Sequence, residues 1–181
     1  LVRSRGLGDV YKRQRMWFRF ISYLKFLVKS TNQHGVHSPF VFNYVTQCLY
    51  SKKKFHQKKS IDALLKTIDY FDFKKVSIKN NAEVKALIEQ TFPKVQFDEN
   101  PLDLLFVDEI NIPTFQKIHS EGKLHNDSLI LIDSIYKHKE SLKQWNQLKT
   151  LLEITVSIDM YYCGLISIRK EQVKEHFTIR I

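Results

Sequence analysis

The sequence predicts an α/β domain built on a mostly parallel sheet with crossover helices. From about residue 71 onward, short strand-like segments alternate with segments of helical period, which is the pattern of repeated β–α–β units. Residues 103–108 (DLLFVD) and 128–133 (SLILID) are almost continuously apolar, as expected for strands that are covered on both faces. The last two strands, 154–158 and 165–169, are joined by a connection too short for a crossover helix. That pair therefore predicts an antiparallel closing edge.

Length, charge and cysteine content limit the class of protein. The chain has 181 residues, 43% of them hydrophobic, and a formal net charge of +10, so we expect one domain, or a domain with a small appendage, that can bury a core without disulfides. The sequence contains no uninterrupted apolar run long enough to span a bilayer. Cys48 and Cys163 are too few for a disulfide framework or a zinc site. They favour a reducing, cytoplasmic setting.

The first residues carry no fold signal. Residues 1–14 contain Arg3, Arg5, Lys12 and Arg13 without an apolar period, and the run GDVYKRQ resembles translated sequencing-adapter DNA. We therefore expect residues 1–15 to be a non-native leader and exclude them from the fold prediction. The alternative is a basic disordered tail of the kind that contacts nucleic acid.

Residues 16–70 predict an N-terminal helical segment ahead of the sheet. Residues 16–30 form its first helix, and the apolar positions at i, i+3, i+4 and i+7 spacing are Trp17, Phe20, Ile21, Leu24, Leu27 and Val28. We expect that face to pack on the domain or on a partner subunit. Because lysines stand at its margins, the alternative is peripheral contact with a membrane surface.

Capping residues predict where the other helices begin. Ser38 and the proline after it start a helix over residues 39–50, and Ser60 opens the next one. The remaining elements are predicted in order as a strand at 75–79, a helix capped by Asn81, a strand at 95–97, helices at 113–120 and 138–152, and a strand-like tail at 175–181. The helix at 138–152 should turn Leu142, Trp145, Leu148 and Leu152 toward the sheet.

Three parts of the sequence point to one family. Residues 32–42 read NQHGVHSPFVF, residues 163–181 read CGLISIRKEQVKEHFTIRI, and the two buried strands lie between them. Together they resemble the bacterial class I S-adenosylmethionine-dependent methyltransferases, in particular a small O-methyltransferase-like group. The buried strands are similar to that family's fourth and fifth strands, and the last block is similar to its final strand and tail. The resemblance implies a Rossmann-like fold for residues 71–181 and methyl transfer from S-adenosylmethionine to an unidentified small-molecule oxygen.

The resemblance also implies where the cofactor would bind. The family uses the turn after the first strand and an acid after a neighbouring strand, which takes ribose hydroxyls as in dinucleotide sites. The matching positions here are Lys79, Asn80, Asn81 and Asp98. The family's turn is rich in glycine, which lets the backbone approach the ligand, whereas no glycine lies between Gly35 and Gly122. We therefore expect a shortened, degenerate member with weak or no cofactor binding, whose role is to bind a partner or to serve as a subunit.

Asp108 and Asp133 follow the two buried strands and are the predicted catalytic residues. Ligands of open α/β sheets bind beyond the carboxyl ends of the strands, so these acids would orient a substrate. Hard cations also prefer carboxylate oxygens, but the sequence offers no clear third ligand, so we predict no metal site. The alternative is that both acids simply cap the ends of strands and neighbouring helices.

A basic binding module is the rival function. It would use residues 16–30 on a membrane surface, or the lysines at 52–54 and 58–59 on nucleic acid, or another face on a protein partner or a second copy of the chain. No known nucleic-acid module surrounds those lysines. The sequence therefore favours a solvated loop there over a nucleic-acid site.

Overall fold

The computed structural model describes residues 3–181, with side chains from Val10 onward. Within these residues the chain forms six α-helices and a seven-stranded sheet. The helices are α1 (Arg3–Lys29), α2 (Pro39–Asn43, continued by a π-helical turn over Tyr44–Leu49), α3 (Lys59–Phe71), α4 (Ala82–Thr91), α5 (Ile112–Ser120) and α6 (Lys139–Leu148). The strands are β1 (Lys75–Ile78), β2 (Gln96–Phe97), β3 (Leu102–Val107), β4 (Leu124–Asp133), β5 (Val156–Asp159), β6 (Cys163–Ser167) and β7 (Glu175–Thr178). The predicted Rossmann-like α/β class with an N-terminal helix is confirmed.

The strand order is β2-β1-β3-β4-β6-β5-β7. Strands β2, β1, β3 and β4 are parallel neighbours, while β6 runs antiparallel to both β4 and β5, and β7 is parallel to β5. The short connection between β5 and β6 thus produces the predicted antiparallel pair. Because β1 to β5 all run in the same direction, the loops that follow them meet at one edge of the sheet, where ligands of such folds bind.

Helices cover both faces of the sheet. Successive strand residues point to opposite faces, so Leu104 and Leu105 enter different apolar clusters. Leu104 packs in the cluster that includes the buried residues of α2, α3 and α4, such as Ile68 and Ile88. Leu105 packs with Phe115 of α5 and with residues of α6. The helices before the sheet and the sheet itself therefore share one core.

Helix α6 is anchored by Trp145, whose ring lies against Gly164 of β6. Trp145 is fully buried, and a methyl group placed on Gly164 would lie 2.7 Å from its ring. The inward positions predicted for Trp145 and Leu148 are confirmed, but that of Leu152 is wrong, since its side chain is 87% exposed. The α-helix ends at Leu148, because over residues 147–154 backbone hydrogen bonds join residues three apart and the chain forms tighter turns.

Helix α1 packs through a different face from the predicted one. Phe26 is buried, and its ring centroid lies 5.5 Å from that of Tyr161, beyond the end of β5. Phe26 and Val28 point to nearly opposite sides at 3.6 residues per turn, and most of the predicted stripe faces solvent, with Trp17 65% and Val28 89% exposed. Only Ile21 and Leu27 of that stripe are partly buried. The apolar period could not show which side meets the tyrosines, because those contacts join distant parts of the chain.

Among the described residues, helix α1 already includes Arg3 and does not start at Met16 as predicted. Residues 3–15 contain no proline, and a helix that has already nucleated adds further turns easily. Among the described helices, none is both long enough and apolar enough to cross a membrane.

The residues after α1 join the outer side of β7. The Thr31 N–H donates to the Thr178 carbonyl at 2.9 Å, and the Arg180 N–H donates to the Thr31 carbonyl at 3.2 Å. Thr31 thus forms a parallel bridge with Ile179. Farther along, the predicted Ser38 cap is confirmed, because its hydroxyl accepts from the Val41 N–H.

Candidate ligand sites at the carboxyl edge of the sheet

The residues predicted to bind the cofactor lie together at the ends of β1 and β2. Asp98 Oδ1 accepts hydrogen bonds from Ser77 Oγ at 2.6 Å and from Lys79 Nζ at 3.1 Å. The Ser77 hydroxyl, followed by the Lys79 ammonium group, lowers the pKa of Asp98. The acid that would hold ribose hydroxyls is therefore ionised and already paired within its own sheet.

The turn between β1 and α4 is built from asparagines. Asn80 has a φ of 59°, the left-handed region where glycine is usual and asparagine is tolerated. The Asn81 carboxamide oxygen accepts from the Val84 N–H at 3.1 Å, which confirms it as the cap of α4. Because the helix uses this side chain, the turn has a fixed form that does not depend on a ligand.

The two predicted catalytic acids follow neighbouring positions on adjacent strands. Val107 of β3 is in register with Ile132 of β4, so Asp108 and Asp133 come next at the same edge. Asp133 is buried, and its oxygens accept from Lys58 Nζ at 2.5 Å and from Ser134 Oγ at 3.0 Å. Both of its oxygens are thus already engaged. Among the described side chains, no three His, Cys, Asp or Glu residues converge as metal ligands would.

A serine, a histidine and a glutamate meet at the start of α6. His138 Nε2 lies 3.1 Å from Glu109 Oε1, and Ser141 Oγ lies 2.9 Å from His138 Nδ1. The same Nδ1 atom accepts from the Ser141 backbone N–H at 3.1 Å, which makes His138 the cap of the helix. The adjoining cavity measures about 10 Å³, so it admits no substrate. We interpret this cluster as a helix cap and not as a nucleophilic site.

A tyrosine cluster lies beyond the ends of β4 and β5, where sequence analysis predicted no site residue. Tyr136 and Tyr161 stack with ring centroids 4.8 Å apart. The Tyr136 hydroxyl donates to Asp159 Oδ2 at 2.6 Å, and the Tyr161 N–H donates to Asp159 Oδ1 at 2.9 Å. Burial raises the pKa of Asp159 despite these bonds, and burial together with the Asp159 charge raises the pKa of Tyr136. Tyr161 has a φ of 63°, an uncommon conformation for an aromatic residue, which the Asp159 contact holds in place.

A cavity of about 230 Å³, which we call the α3 cavity, opens beside this cluster. It is lined by Arg19, Lys58, Ser60, Ser134, Tyr136, Lys137, Tyr161 and Tyr162. Sequence analysis placed Ser60 at the start of a helix and Lys58 in a basic loop, and it missed their convergence with Arg19. One signal was available, since Lys58 occupies the cap position where Ser, Thr, Asp or Asn is usual.

The chain matches no family model, no curated protein and no solved structure.

Proposed function

We propose that the chain is a class I methyltransferase-like domain that binds a partner or ligand and does not transfer methyl groups. The three sequence stretches that resemble the family support its descent. The arrangement of the sheet agrees with a shortened member. If β3 and β4 are the family's fourth and fifth strands, then β1 and β2 alone precede β3 among the described residues, and one β–α unit is missing.

The contact of Lys79 with Asp98 carries the proposal. The Lys79 ammonium group at 3.1 Å and the Ser77 hydroxyl at 2.6 Å both occupy Asp98 Oδ1, so a ribose would have to displace them to bind both oxygens of the carboxylate. Hydrogen bonds to charged groups are stronger than those between neutral groups, so neutral ribose hydroxyls are poor competitors for this position. The Asn81 side chain is committed to α4, and the turn lacks glycine. The residues present therefore do not fit S-adenosylmethionine, and we derive no reaction step through it.

Calorimetric titration of the full chain tests the proposal. We expect no heat from S-adenosylmethionine or S-adenosylhomocysteine at about 1 mM, whereas a micromolar Kd, equivalent to about 8 kcal/mol, would contradict the proposal. Lys79→Ala removes the competing charge and is expected to give measurable binding. Lys94→Ala, which removes an exposed lysine from the α4–β2 connection, is the matched control and should stay silent. If Lys79→Ala also gives no binding heat, the asparagine turn and not the ion pair prevents the cofactor from binding.

We infer a reducing, cytoplasmic location for this domain. Both Cys48 and Cys163 are buried free thiols, and burial raises the pKa of Cys48 to about 12. Such thiols are inert and need no oxidising compartment.

A second candidate function is peripheral binding to an anionic membrane surface through α1. The exposed positions of the helix include four large apolar side chains, Trp17, Phe20, Leu24 and Val28. The groove between α1 and α6 adds a group of lysines, which are Lys25, Lys29, Lys139, Lys143 and Lys149. Apolar insertion combined with positive charge is the usual basis of interfacial binding.

Vesicle co-sedimentation tests this candidate. We expect the full chain to sediment with vesicles that contain phosphatidylserine but not with neutral phosphatidylcholine vesicles. Trp17→Ser with Phe20→Ser should weaken binding by about tenfold or more, because two aromatic anchors are lost. Leu152→Ser is the matched control, since Leu152 is also an exposed apolar side chain but does not belong to α1. Equal loss in the control would contradict a role for α1.

A further inference from the structure

We propose that the α3 cavity binds a small molecule through a phosphate group. The cavity lies between α1, the start of α3 and the loops after β4 and β5. It shares no residue with the turn at Lys79 and Asn81, so this inference goes beyond the methyltransferase-like proposal and does not depend on it.

The charge of the cavity selects an anion. Arg19, Lys58 and Lys137 line the cavity, and none of the described residues that line it is acidic. Asp133, which is not one of the lining residues, accepts a hydrogen bond from Lys58 Nζ at 2.5 Å. An ammonium group has three donors, so Lys58 is held in position while two of its N–H groups stay available to a ligand. Lys137 Nζ lies 4.0 Å from Glu109 Oε1, too far for a hydrogen bond.

The start of α3, which contributes Lys58 and Ser60 to the cavity lining, adds backbone donors next to this charge. The first bond of the helix runs from the Asp62 N–H to the Lys58 carbonyl, so the N–H groups of residues 59–61 precede the helical ladder. In the described part of the chain no side chain caps them, because Lys58 offers no acceptor. The Asp62 carboxylate turns away and accepts from the N–H groups of Phe55 and His56. Helix starts of this kind favour phosphate through both their N–H groups and their dipole.

Ser60 supplies the independent observation. Its side chain is 1% exposed, and its hydroxyl has no hydrogen-bond partner among the described residues, although it lines the cavity. Buried hydroxyl groups are nearly always paired. A phosphate oxygen in the cavity would accept from this hydroxyl and from the neighbouring backbone N–H groups together.

The remaining walls indicate an ester and not only the free ion. Tyr136, Tyr161 and Tyr162 also line the cavity, and their rings contact one another. Rings of this kind cover apolar or planar groups well. A phosphomonoester with a small planar substituent therefore matches both halves of the cavity.

Calorimetry and thermal unfolding of the full chain test the assignment. The probes are inorganic phosphate, phenyl phosphate and acetate at matched ionic strength. We expect both phosphates to raise Tm by mass action, phenyl phosphate to bind about tenfold tighter because its ring meets the tyrosines, and acetate to have no effect. If inorganic phosphate binds as tightly as phenyl phosphate, the free ion is the ligand and the ester assignment is overturned.

Three variants separate a built site from general charge. Ser60→Ala removes an unpaired hydroxyl, so Tm without ligand should not fall, yet phosphate affinity should drop by about tenfold. Arg19→Gln should weaken binding similarly, and its main-chain carbonyl still accepts from Tyr161. Lys94→Gln removes the same charge elsewhere and should leave the affinity unchanged. Unchanged affinity in Ser60→Ala, or an equal loss in Lys94→Gln, would overturn the proposal. Binding of S-adenosylmethionine would contradict the methyltransferase-like proposal alone.

Discussion

Gly164→Ala is expected to lower the free energy of unfolding by about 1–3 kcal/mol, the usual cost of overpacking a core. The added methyl group would lie 2.7 Å from Trp145 Cζ3 and 2.8 Å from Cη2. Neither partner can yield, because Trp145 is fully buried and Gly164 is in register with Ile132 on one side and Asp159 on the other. Urea unfolding of the two proteins measures the difference.

A double-mutant cycle identifies the cause of that loss. In a Trp145→Leu background the ring is gone, so the additional cost of Gly164→Ala should nearly vanish. Gly122→Ala is the matched control, since Gly122 has a φ of 66° and open space around it. Its cost comes from the backbone and should be the same in both backgrounds. If Gly164→Ala costs as much without the tryptophan ring, contact with Trp145 is not the reason for the glycine.

Lys58→Met is expected to destabilise the fold by about 1–3 kcal/mol, because it leaves a buried carboxylate without its cation. Asp133 is buried, whereas Lys58 is about half exposed, so water replaces part of the lost contact. The double variant Lys58→Met with Asp133→Asn should recover most of the loss, since no charge is then left unpaired. Urea unfolding without phosphate keeps ligand binding out of the comparison.

The exposed pair of Lys53 and Asp69 provides the control for this experiment. Its atoms lie 2.9 Å apart, but both side chains are solvent-accessible. Lys53→Met should therefore cost less than about 1 kcal/mol. If Lys58→Met and Lys53→Met have equal effects, Asp133 does not depend on its lysine and remains free to act on a substrate.

Local signals in the sequence predicted the core of the fold. The strands β3 and β4 were found because nearly every residue in them is apolar, and the caps at Ser38 and Asn81 were found because capping depends on a few adjacent residues. The face of α1 was predicted wrongly because two faces carry apolar side chains, and only distant tyrosines decide between them. Phe26 lies in the same apolar run as Val28, yet the two have opposite environments.

The candidate sites also divide into features that adjacent residues predict and features that depend on distant contacts. The resemblance to the methyltransferase family grouped Asp98 with Lys79, and the structure brings them together at the ends of neighbouring strands. Sequence analysis did not pair Lys58 with Asp133, which are separated by 75 positions. Ser60 was predicted to open α3, whereas Lys58 is the cap and Ser60 lies in the first turn. Whether its hydroxyl is paired depends on the side chains around it in three dimensions. The convergence of Arg19, Ser60 and Lys137 is therefore a property of the tertiary structure alone.

The bridge at Thr31 covers part of one margin of the sheet. A strand at the margin of a sheet presents free N–H and C=O groups that can template strand addition by another chain. On one side the sheet ends in β2, which is only two residues long and offers little to pair with. On the other side Thr31 occupies backbone groups of Thr178 and Arg180 beside β7. The segment between α1 and α2 therefore reduces the number of free backbone groups on which another chain could add a strand at this edge.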